Sequence, residues 1–302
     1  MNLAMSQITV IIPTYGHGLF LEKVMGALMA QQPNVPKTIV VHSGDHPPAP
    51  LWMDQPERIQ VLHSDERLYA GAARNWGMKA AETPWVTFID DDMIVADGWH
   101  KAVLDAIESE KADCYLGSVG YAESGGYWGM CRWFLEHGPG HPYLPPSRTN
   151  TGAAGNLTIW REAFLSTGGF PSDWRQSEDV MGLARFSLAG YRINFEPNII
   201  GGHVNRPGFL WNARHLYHFG RSTAKVRRVY SFLPGGSAVR FPILALGLWA
   251  TRLAQLYRRT ILHRGPLGSL IYHTPGIVLV ALAWNAGFMA EALKLSGKPS
   301  AQ

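Results

Sequence analysis

The amino-terminal third of the chain alternates between two hydrophobic patterns. Short apolar runs rich in β-branched residues predict strands at Ile8–Ile12, Thr38–Val41, Arg58–Leu62 and Trp85–Ile89. Apolar residues at helical spacing predict helices between them at Leu19–Ala30 and Ala70–Ala81. Strands that alternate with helices are typical of βαβ units, so the pattern predicts an α/β fold with a mainly parallel sheet and flanking helices.

The pattern changes after Met93. A helix is expected over 93–109, and an irregular segment rich in Gly, Pro, Trp and Tyr over 117–152. Regular spacing then returns and predicts strands at Asn156–Trp160 and Ile193–Phe195, with helices at Arg161–Ser166 and Val180–Ala189.

Two apolar segments distinguish the carboxyl-terminal part. Phe241–Thr251 is too short to cross a bilayer, whereas Leu267–Ala290 has 24 residues without Asp, Glu, Lys or Arg. Arginines lie between the two segments. A helical hairpin that lies in the cytoplasmic membrane interface would place these arginines at the lipid phosphates. Two other interpretations stay open, a single membrane span and a soluble pair of helices. We therefore expect two domains, residues 1–230 and a membrane-associated helical region, residues 231–302.

The net charge of +4 hides a strong asymmetry. Residues 1–196 carry a net charge of −8, whereas residues 197–290 contain 11 basic residues and no acid. Such a basic region suits an anionic partner, and its apolar stretches favour an anionic membrane surface over nucleic acid. A cytoplasmic location, at the membrane face, is favoured by two features. The two cysteines lack the spacing of metal-binding motifs, and the amino terminus lacks a signal-peptide pattern.

Three consecutive aspartates, Asp90 to Asp92, directly follow the predicted strand Trp85–Ile89. Adjacent carboxylates repel one another, and a cation or a proton must offset that repulsion. Carboxylate oxygens suit Mn²⁺ or Mg²⁺, and these ions bind diphosphates. The end of a buried strand is also where open α/β sheets bind ligands, so the run predicts a metal–phosphate site.

Four motifs in this order resemble family 2 glycosyltransferases of the GT-A fold, from about Ile8 to about Arg228. They are the opening strand Ile8–Tyr15, the helix Ala70–Gly77, the strand and acids Phe88–Asp92, and Gly168–Phe170 followed by Ser177–Asp179. The resemblance implies an inverting, metal-dependent transfer of a sugar from a nucleotide-diphosphate sugar to a saccharide or lipid-linked acceptor.

The resemblance also implies roles for individual residues. Asp179 would be the catalytic base, Asp92 and His203 would bind Mn²⁺ or Mg²⁺, and Glu178 and Trp174 would contact the acceptor. The residues expected to bind the donor are Pro13, Thr14, Tyr15, Asp45, Arg74, Asn75, Asp90 and Asp91. The position at which the family commonly has a nucleobase-binding Asp is occupied by His42, and Asp45 is the nearby replacement.

Two other functions compete with this interpretation. A sugar nucleotidyltransferase shares the α/β architecture, but it needs a basic glycine-rich loop after the first strand, and residues 13–18 contain no Lys or Arg. A non-catalytic membrane scaffold with a transferase fold would not need Asp90, Asp92 and Asp179.

Overall fold

The computed structural model describes residues 8–31, 36–45 and 57–296 of the chain. The chain forms two compact units, Met1–Ala122 with Pro145–His203, and Glu123–Leu144 with Val204–Gln302. These units differ from the expected division at residue 230. Residues 123–144 and 204–230 belong with the carboxyl-terminal helices, because Phe134 and Leu216 share one apolar core with Trp284 and Phe288.

The first unit consists of a β-sheet and the helices that connect its strands. Its strands are β1 Ile8–Tyr15, β2 Lys37–Ser43, β3 Ile59–Ser64, β4 Trp85–Ile89, β5 Met93–Val95, β6 Cys114–Glu123, β7 Ser147–Thr149, β8 Asn156–Trp160 and β9 Ile193–Val204. Its helices are α1 Leu21–Met29, α2 Ala70–Ala80, α3 Trp99–Glu108, α5 Arg161–Ser166 and α6 Glu178–Leu188.

Among the described residues the strands form one sheet in the order β3-β2-β1-β4-β8-β6-β9-β5, with β7 paired to β9. β1 pairs in parallel with β2 and β4, and β2 with β3; β8 pairs antiparallel with β4 and β6. The expected mixed sheet with flanking helices is thus confirmed. Strand order reverses between β1 and β4, so the carboxyl ends of these strands border the crevice where such sheets bind ligands.

The central strands are buried on both faces. Val10, Ile11 and Ile12 of β1, whose side chains alternate between the two faces, have no exposed surface, and Val10 and Ile12 pack in the same core as Trp99 of α3. Strands covered on both sides read as continuous apolar runs, which explains why their positions were predictable from the sequence.

The region after β4 differs from the sequence-based prediction. The helix expected over 93–109 begins only at Trp99, because Met93–Val95 pairs with β9 as β5. The irregular segment expected over 117–152 contains the end of β6, the helix α4 Gly126–Glu136 and β7. The glycines in β6 weaken its strand pattern in the sequence. Gly117 is required by close packing, because a Cβ at this position would lie 2.2 Å from the Asn156 Nδ2.

The second unit is helical. Besides α4, it contains α7 Phe209–Val229, α8 Gly236–Arg240, α9 Leu248–Leu262 and α10 Leu267–Ser296, with short 3₁₀ helices at Gly138–Gly140 and Pro242–Gly247. α7 and α10 cross at two glycines, each of which packs directly against the backbone of the other helix. A Cβ on Gly220 would lie 1.9 Å from the Trp284 carbonyl oxygen, and one on Gly287 would lie 1.9 Å from that of Tyr217.

Of the described helices, only α10 is long and apolar enough to cross a membrane, with a mean hydropathy of 1.6 over Leu267–Lys294. More than half of its most apolar window, 56%, is buried inside the protein. The buried residues Ile277, Trp284 and Phe288 pack in the core of the second unit. Its apolar character therefore serves packing within the unit, and length and composition alone are weak support for a span.

Candidate active site

The three aspartates form the turn that follows β4. The Asp90 N–H donates a hydrogen bond to the Gly155 carbonyl at 3.3 Å, and the Met93 N–H donates to the Asp90 carbonyl at 3.0 Å. A Cβ on Gly155 would lie 2.7 Å from the Asp90 Oδ2, so a larger residue would displace this carboxylate. The backbone thus holds the carboxylates at the carboxyl end of a buried strand, as the sequence predicted.

Arg74 of α2 joins Asp90 to the beginning of α6. Its Nη2 donates a hydrogen bond to the Asp90 Oδ1 at 2.6 Å, and its Nη1 donates to the Glu178 Oε1 at 2.7 Å. The side chains of Arg74 and Glu178 are almost completely buried. Burial opposes the charge of Arg74, but attraction by Asp90, Glu178 and Asp179 outweighs it and raises the pKa of the guanidinium.

Asp179 lies in the first turn of α6, beside Glu178. Its Oδ2 accepts a hydrogen bond from the Ala154 N–H at 3.2 Å, and its Oδ1 accepts one from the Val180 N–H at 2.7 Å. Burial and repulsion by Glu178 raise the pKa of Asp179 to about 7, against the opposing effect of Arg74 and these two N–H groups. A carboxylate that exchanges a proton near neutral pH is suited to general base catalysis.

Backbone features at two positions create this cluster. Ser177, which precedes α6, has a left-handed φ of +65°, a conformation that is strained for a residue with a side chain. Gly71 lets α2 approach the segment before α6, since a Cβ there would lie 2.3 Å from the Pro171 carbonyl oxygen and 3.1 Å from the Glu178 Cγ. Packing between α2 and α6 therefore places Arg74 within reach of Glu178.

Asp92 and His203, the two residues predicted to bind the metal ion, lie next to each other, and their metal binding stays a prediction. The His203 Nε2 lies 3.4 Å from the Asp92 Oδ2, and His203 of β9 is paired with Met93 of β5 in the sheet. Among the described residues, no group of three or more His, Cys, Asp or Glu side chains is close enough to hold a metal ion. One carboxylate and one imidazole fit a Mn²⁺ ion that takes its other ligands from water and substrate phosphates.

Asp91 contacts the other side of the crevice. Its Oδ2 accepts a hydrogen bond from the Thr14 hydroxyl at 2.6 Å, which links the turn after β4 to the end of β1. Because β1 and β4 are neighbours, this bond ties together the two strand ends that border the crevice. Pro13, the next residue back in β1, is buried and in register with Val41 of β2.

A polar pocket lies at the carboxyl ends of β1, β2 and β3. It is lined by Tyr15, Gly16, His17, Gly44, Asp45, Asp65 and Arg67. The Arg67 guanidinium lies 4.5 Å from the centre of the Tyr15 ring. Tyr15 and Asp45 were predicted for donor binding, whereas Asp65 and Arg67 were missed. Their position just after β3, beside the ends of β1 and β2, is the signal that identifies them.

Two predicted residues have different surroundings. The Asn75 side chain donates to the Phe170 carbonyl at 2.7 Å and accepts from the Phe170 N–H at 3.0 Å, so it holds the loop before α6. Trp174 is partly exposed in that same loop, at residues 171–177. Their predicted contacts with donor and acceptor stay predictions.

The chain is similar in sequence to known glycosyltransferases. The model of glycosyl transferase family 2 matches residues 9–158. The pre-mycofactocin glycosyltransferase of Mycobacterium tuberculosis strain H37Rv is 24% identical over an alignment of 302 residues, gaps included. The alignment covers 96% of this chain and 63% of the relative. Glycosyltransferase AglE of Haloferax volcanii is 25% identical over 210 residues, 66% of this chain and 67% of the relative. The chain thus spans less than two thirds of the length of the mycobacterial protein.

Two solved structures share the fold. The mannosyltransferase PcManGT of Pyrobaculum calidifontis, in complex with GDP-Man and Mn²⁺, has a TM-score of 0.58 at 18% identity, and covers 96% of this chain and 86% of its own. Residues 1–349 of S. aureus TarS give a TM-score of 0.52 at 14% identity, covering 95% and 92%. These two structures show the shared fold alone. The match at residues 9–158 is what establishes that the chain belongs to glycosyl transferase family 2.

Proposed function

We propose that the protein transfers a sugar from a nucleotide-diphosphate sugar to an acceptor hydroxyl, with inversion at the anomeric carbon. The observation that carries this proposal is the charged cluster around Arg74, which joins Asp90 after β4 to Glu178 at the start of α6. Asp179, with its pKa raised to about 7, belongs to the same cluster. In this proposal, the groups that serve the donor and the acceptor come from distant parts of the sequence and form one site.

The nucleotide of the donor would occupy the pocket at the ends of β1, β2 and β3. Tyr15 offers an aromatic face to the base, and Asp45 and Asp65 offer hydrogen-bond acceptors. Asp90 would orient the ribose or the sugar, since its Oδ1 is fixed by Arg74. Asp91 holds Thr14 at the strand end between the pocket and the acids.

Asp92 and His203 would hold a divalent cation, Mn²⁺ or Mg²⁺. The bound ion would neutralise charge on the leaving diphosphate. Imidazole is a better ligand for Mn²⁺ than for Mg²⁺, so the His203 side chain favours Mn²⁺. The solved structure of PcManGT also contains Mn²⁺, which agrees with this choice.

Asp179 would remove the proton of the attacking hydroxyl. As the acceptor oxygen forms a bond to the anomeric carbon, the bond from that carbon to the diphosphate oxygen breaks on the opposite face, and the proton passes to the Asp179 carboxylate. Attack opposite to the leaving group inverts the configuration. Glu178 and Trp174 would contact the acceptor, a saccharide or a lipid-linked sugar.

We further propose that the second unit binds the cytoplasmic face of a membrane. Its 3₁₀ helix Pro242–Gly247 exposes Ile243, Leu244 and Leu246, each by half or more of its surface. Exposed basic side chains at the end of α9 and after it, Arg258 and Arg264, suit lipid phosphates. The extensive burial of α10 favours an interfacial position over a span, and residues 231–302 are the proposed membrane-associated part.

A panel of nucleotide-sugar donors, incubated with Mn²⁺ or Mg²⁺ and scored by release of the nucleoside diphosphate, tests the reaction. We expect release with at least one donor, stimulated by the cation and absent in Asp179→Asn. A donor that releases its diphosphate equally well from Asp179→Asn would contradict the base assignment. Release of pyrophosphate from a nucleoside triphosphate and a sugar phosphate would instead identify a nucleotidyltransferase.

A further inference from the structure

The two histidines at the ends of β2 and β3 form a hydrogen-bonded pair. His42 and His63 are in register on these parallel strands, and the His42 Nδ1 lies 3.0 Å from the His63 Nδ1. Their rings are nearly parallel, with an angle of 17° and centres 5.1 Å apart. His42 is completely buried and does not line the nucleotide pocket in the described residues, so it does not replace the family's nucleobase-binding Asp.

The pair continues into a hydrogen-bonded chain on both sides. The His42 Nε2 lies 2.8 Å from the Gly16 carbonyl oxygen, and the His63 Nε2 lies 3.0 Å from the Asp65 Oδ1. Gly16 and Asp65 both line the pocket. This hydrogen-bonded chain runs from Gly16 through His42 and His63 to Asp65. It therefore connects two residues of the pocket wall.

The ends of this chain determine how many protons it contains. A carbonyl oxygen and an ionised carboxylate only accept hydrogen bonds, so the Nε2 atoms of His42 and His63 must both carry a proton. The contact between the two Nδ1 atoms needs one proton more. Two neutral imidazoles supply only two N–H groups, so the complete chain contains one additional proton, shared between His42 and His63.

We propose that His42 and His63 share this proton as a cationic pair and thereby position Asp65 as the group that recognises the nucleobase of the donor. The proposal rests on the nucleotide-sugar chemistry proposed above. The carboxylate that the family commonly places after β2 is supplied here after β3, and the buried His42 and the partly buried His63 fix it. His42 and His63 are positioning residues, because neither needs to touch the base.

The position of Asp65 also indicates a class of bases. A carboxylate oxygen accepts a hydrogen bond from a ring N–H, as in guanine, uracil or thymine. Adenine and cytosine present a ring nitrogen with a lone pair at the corresponding position, which repels a carboxylate. We therefore expect GDP or UDP to bind at least about tenfold more tightly than ADP and CDP, the effect of one unmade charged hydrogen bond.

The shared proton makes nucleotide binding depend on pH in both directions. Loss of the proton at higher pH removes one bond of the chain and releases Asp65. A second proton at lower pH places two N–H groups against each other between the rings. Affinity should therefore pass through a maximum between these two limits. Tyr15, His17, Asp45 and Arg67 also face this pocket.

Two measurements test the proposal. Nitrogen-15 NMR of the unaltered protein at neutral pH should show His42 and His63 with protons on both Nε2 atoms and one proton between the Nδ1 atoms. Two neutral imidazoles would overturn it. Because this measurement needs no nucleotide, it is independent of whether the proposed transferase function is correct.

Calorimetric binding of GDP and UDP as a function of pH gives the second test. We expect a bell-shaped profile that persists in the control His263→Gln, at an exposed histidine of the second unit. His63→Gln should weaken binding about tenfold and flatten the profile. An unchanged profile in His63→Gln would overturn the proposal, whereas absence of all nucleotide binding in the unaltered protein would contradict the proposed function.

Discussion

The guanidinium of Arg74 lies 2.7 Å from the carboxylate of Glu178, and both side chains are almost completely buried. The same guanidinium also bonds to Asp90. A planar fork with donors on two nitrogens serves two carboxylates at once, which a lysine ammonium does less well. One side chain of α2 therefore fixes the acids on both sides of the crevice.

Removal of the Arg74 charge should destabilise the protein strongly. Arg74→Leu leaves Glu178 buried without its partner, so we expect a loss of about 3–5 kcal/mol in the free energy of unfolding, measured by denaturant titration. Glu178→Gln in the same chain should restore part of this loss, because it removes the unpaired charge. Arg192→Leu breaks an ion pair with Asp113 at the protein surface and should change stability far less. Equal effects of the two arginine variants would contradict the buried network.

Asp179→Asn should lower turnover by about 10²–10⁴-fold while leaving donor affinity nearly unchanged, because only the proton acceptor is lost. In the unaltered protein, kcat/KM should rise as the pH increases towards 7 and Asp179 loses its proton. Initial rates over a pH series, with donor affinity from calorimetry, check both statements. A loss of donor affinity as large as the loss of turnover would contradict the assignment.

The same carboxylate should make the folded state less stable as pH rises. Folding raises the pKa of Asp179 from its ordinary 3.8 to about 7, so between these values the folded chain holds a proton that the unfolded chain has released. Its contribution to stability therefore falls over this range. Asp179→Asn should melt at a higher temperature than the unaltered protein at pH 8, with a smaller difference at pH 4. If Asp179→Asn melted at a lower temperature than the unaltered protein at pH 8, the ionised Asp179 carboxylate would not destabilise the folded state.

The metal assignment predicts a loss of cation-dependent binding. Asp92→Asn and His203→Gln should each weaken donor binding in the presence of Mn²⁺ by at least about tenfold, measured by calorimetry with and without the ion. Asp97→Asn is the control, since this exposed aspartate lies five residues further along and outside the site. Unchanged Mn²⁺ dependence in both site variants would exclude these two residues as ligands.

Close packing of α2 predicts contrasting effects of two glycine substitutions. Gly71→Ala places a methyl group 2.3 Å from the Pro171 carbonyl, and we expect a loss of about 1–3 kcal/mol in stability together with reduced activity. Gly26→Ala in α1 meets nothing within 4 Å and should stabilise the helix by about 0.5–1 kcal/mol. Thermal and denaturant unfolding of both variants checks the contrast.

Membrane binding should depend on the exposed apolar residues of the second unit. The double variant Ile243→Glu, Leu246→Glu should bind vesicles that contain phosphatidylglycerol less than the unaltered protein does, measured by co-sedimentation. Gln255→Glu, at an exposed position of α9, adds the same type of charge without removing an apolar group. Equal vesicle binding by the double variant and the unaltered protein would show that the membrane contact lies elsewhere.

Much of the first unit could be predicted because its central strands are apolar on both faces and end in chemically distinctive residues. The acids after β4 were identified in this way, whereas Asp179 at the start of α6 was predicted from the resemblance to family 2 glycosyltransferases. The partners of these groups were not predictable. Whether Arg74 meets Glu178, or Asp65 meets His63, depends on register and helix packing between distant segments, which a single sequence does not specify.

The glycine-mediated crossing of α7 and α10 affects how the protein can be shortened for study. The hydropathy of α10 invites removal of residues 267–302 to obtain a soluble fragment. Such a truncation would take away the helix against which Leu216 and Gly220 of α7 pack, and would expose the apolar core of the second unit to water. We expect that fragment to aggregate, so biochemical work should begin with the full chain and a mild detergent.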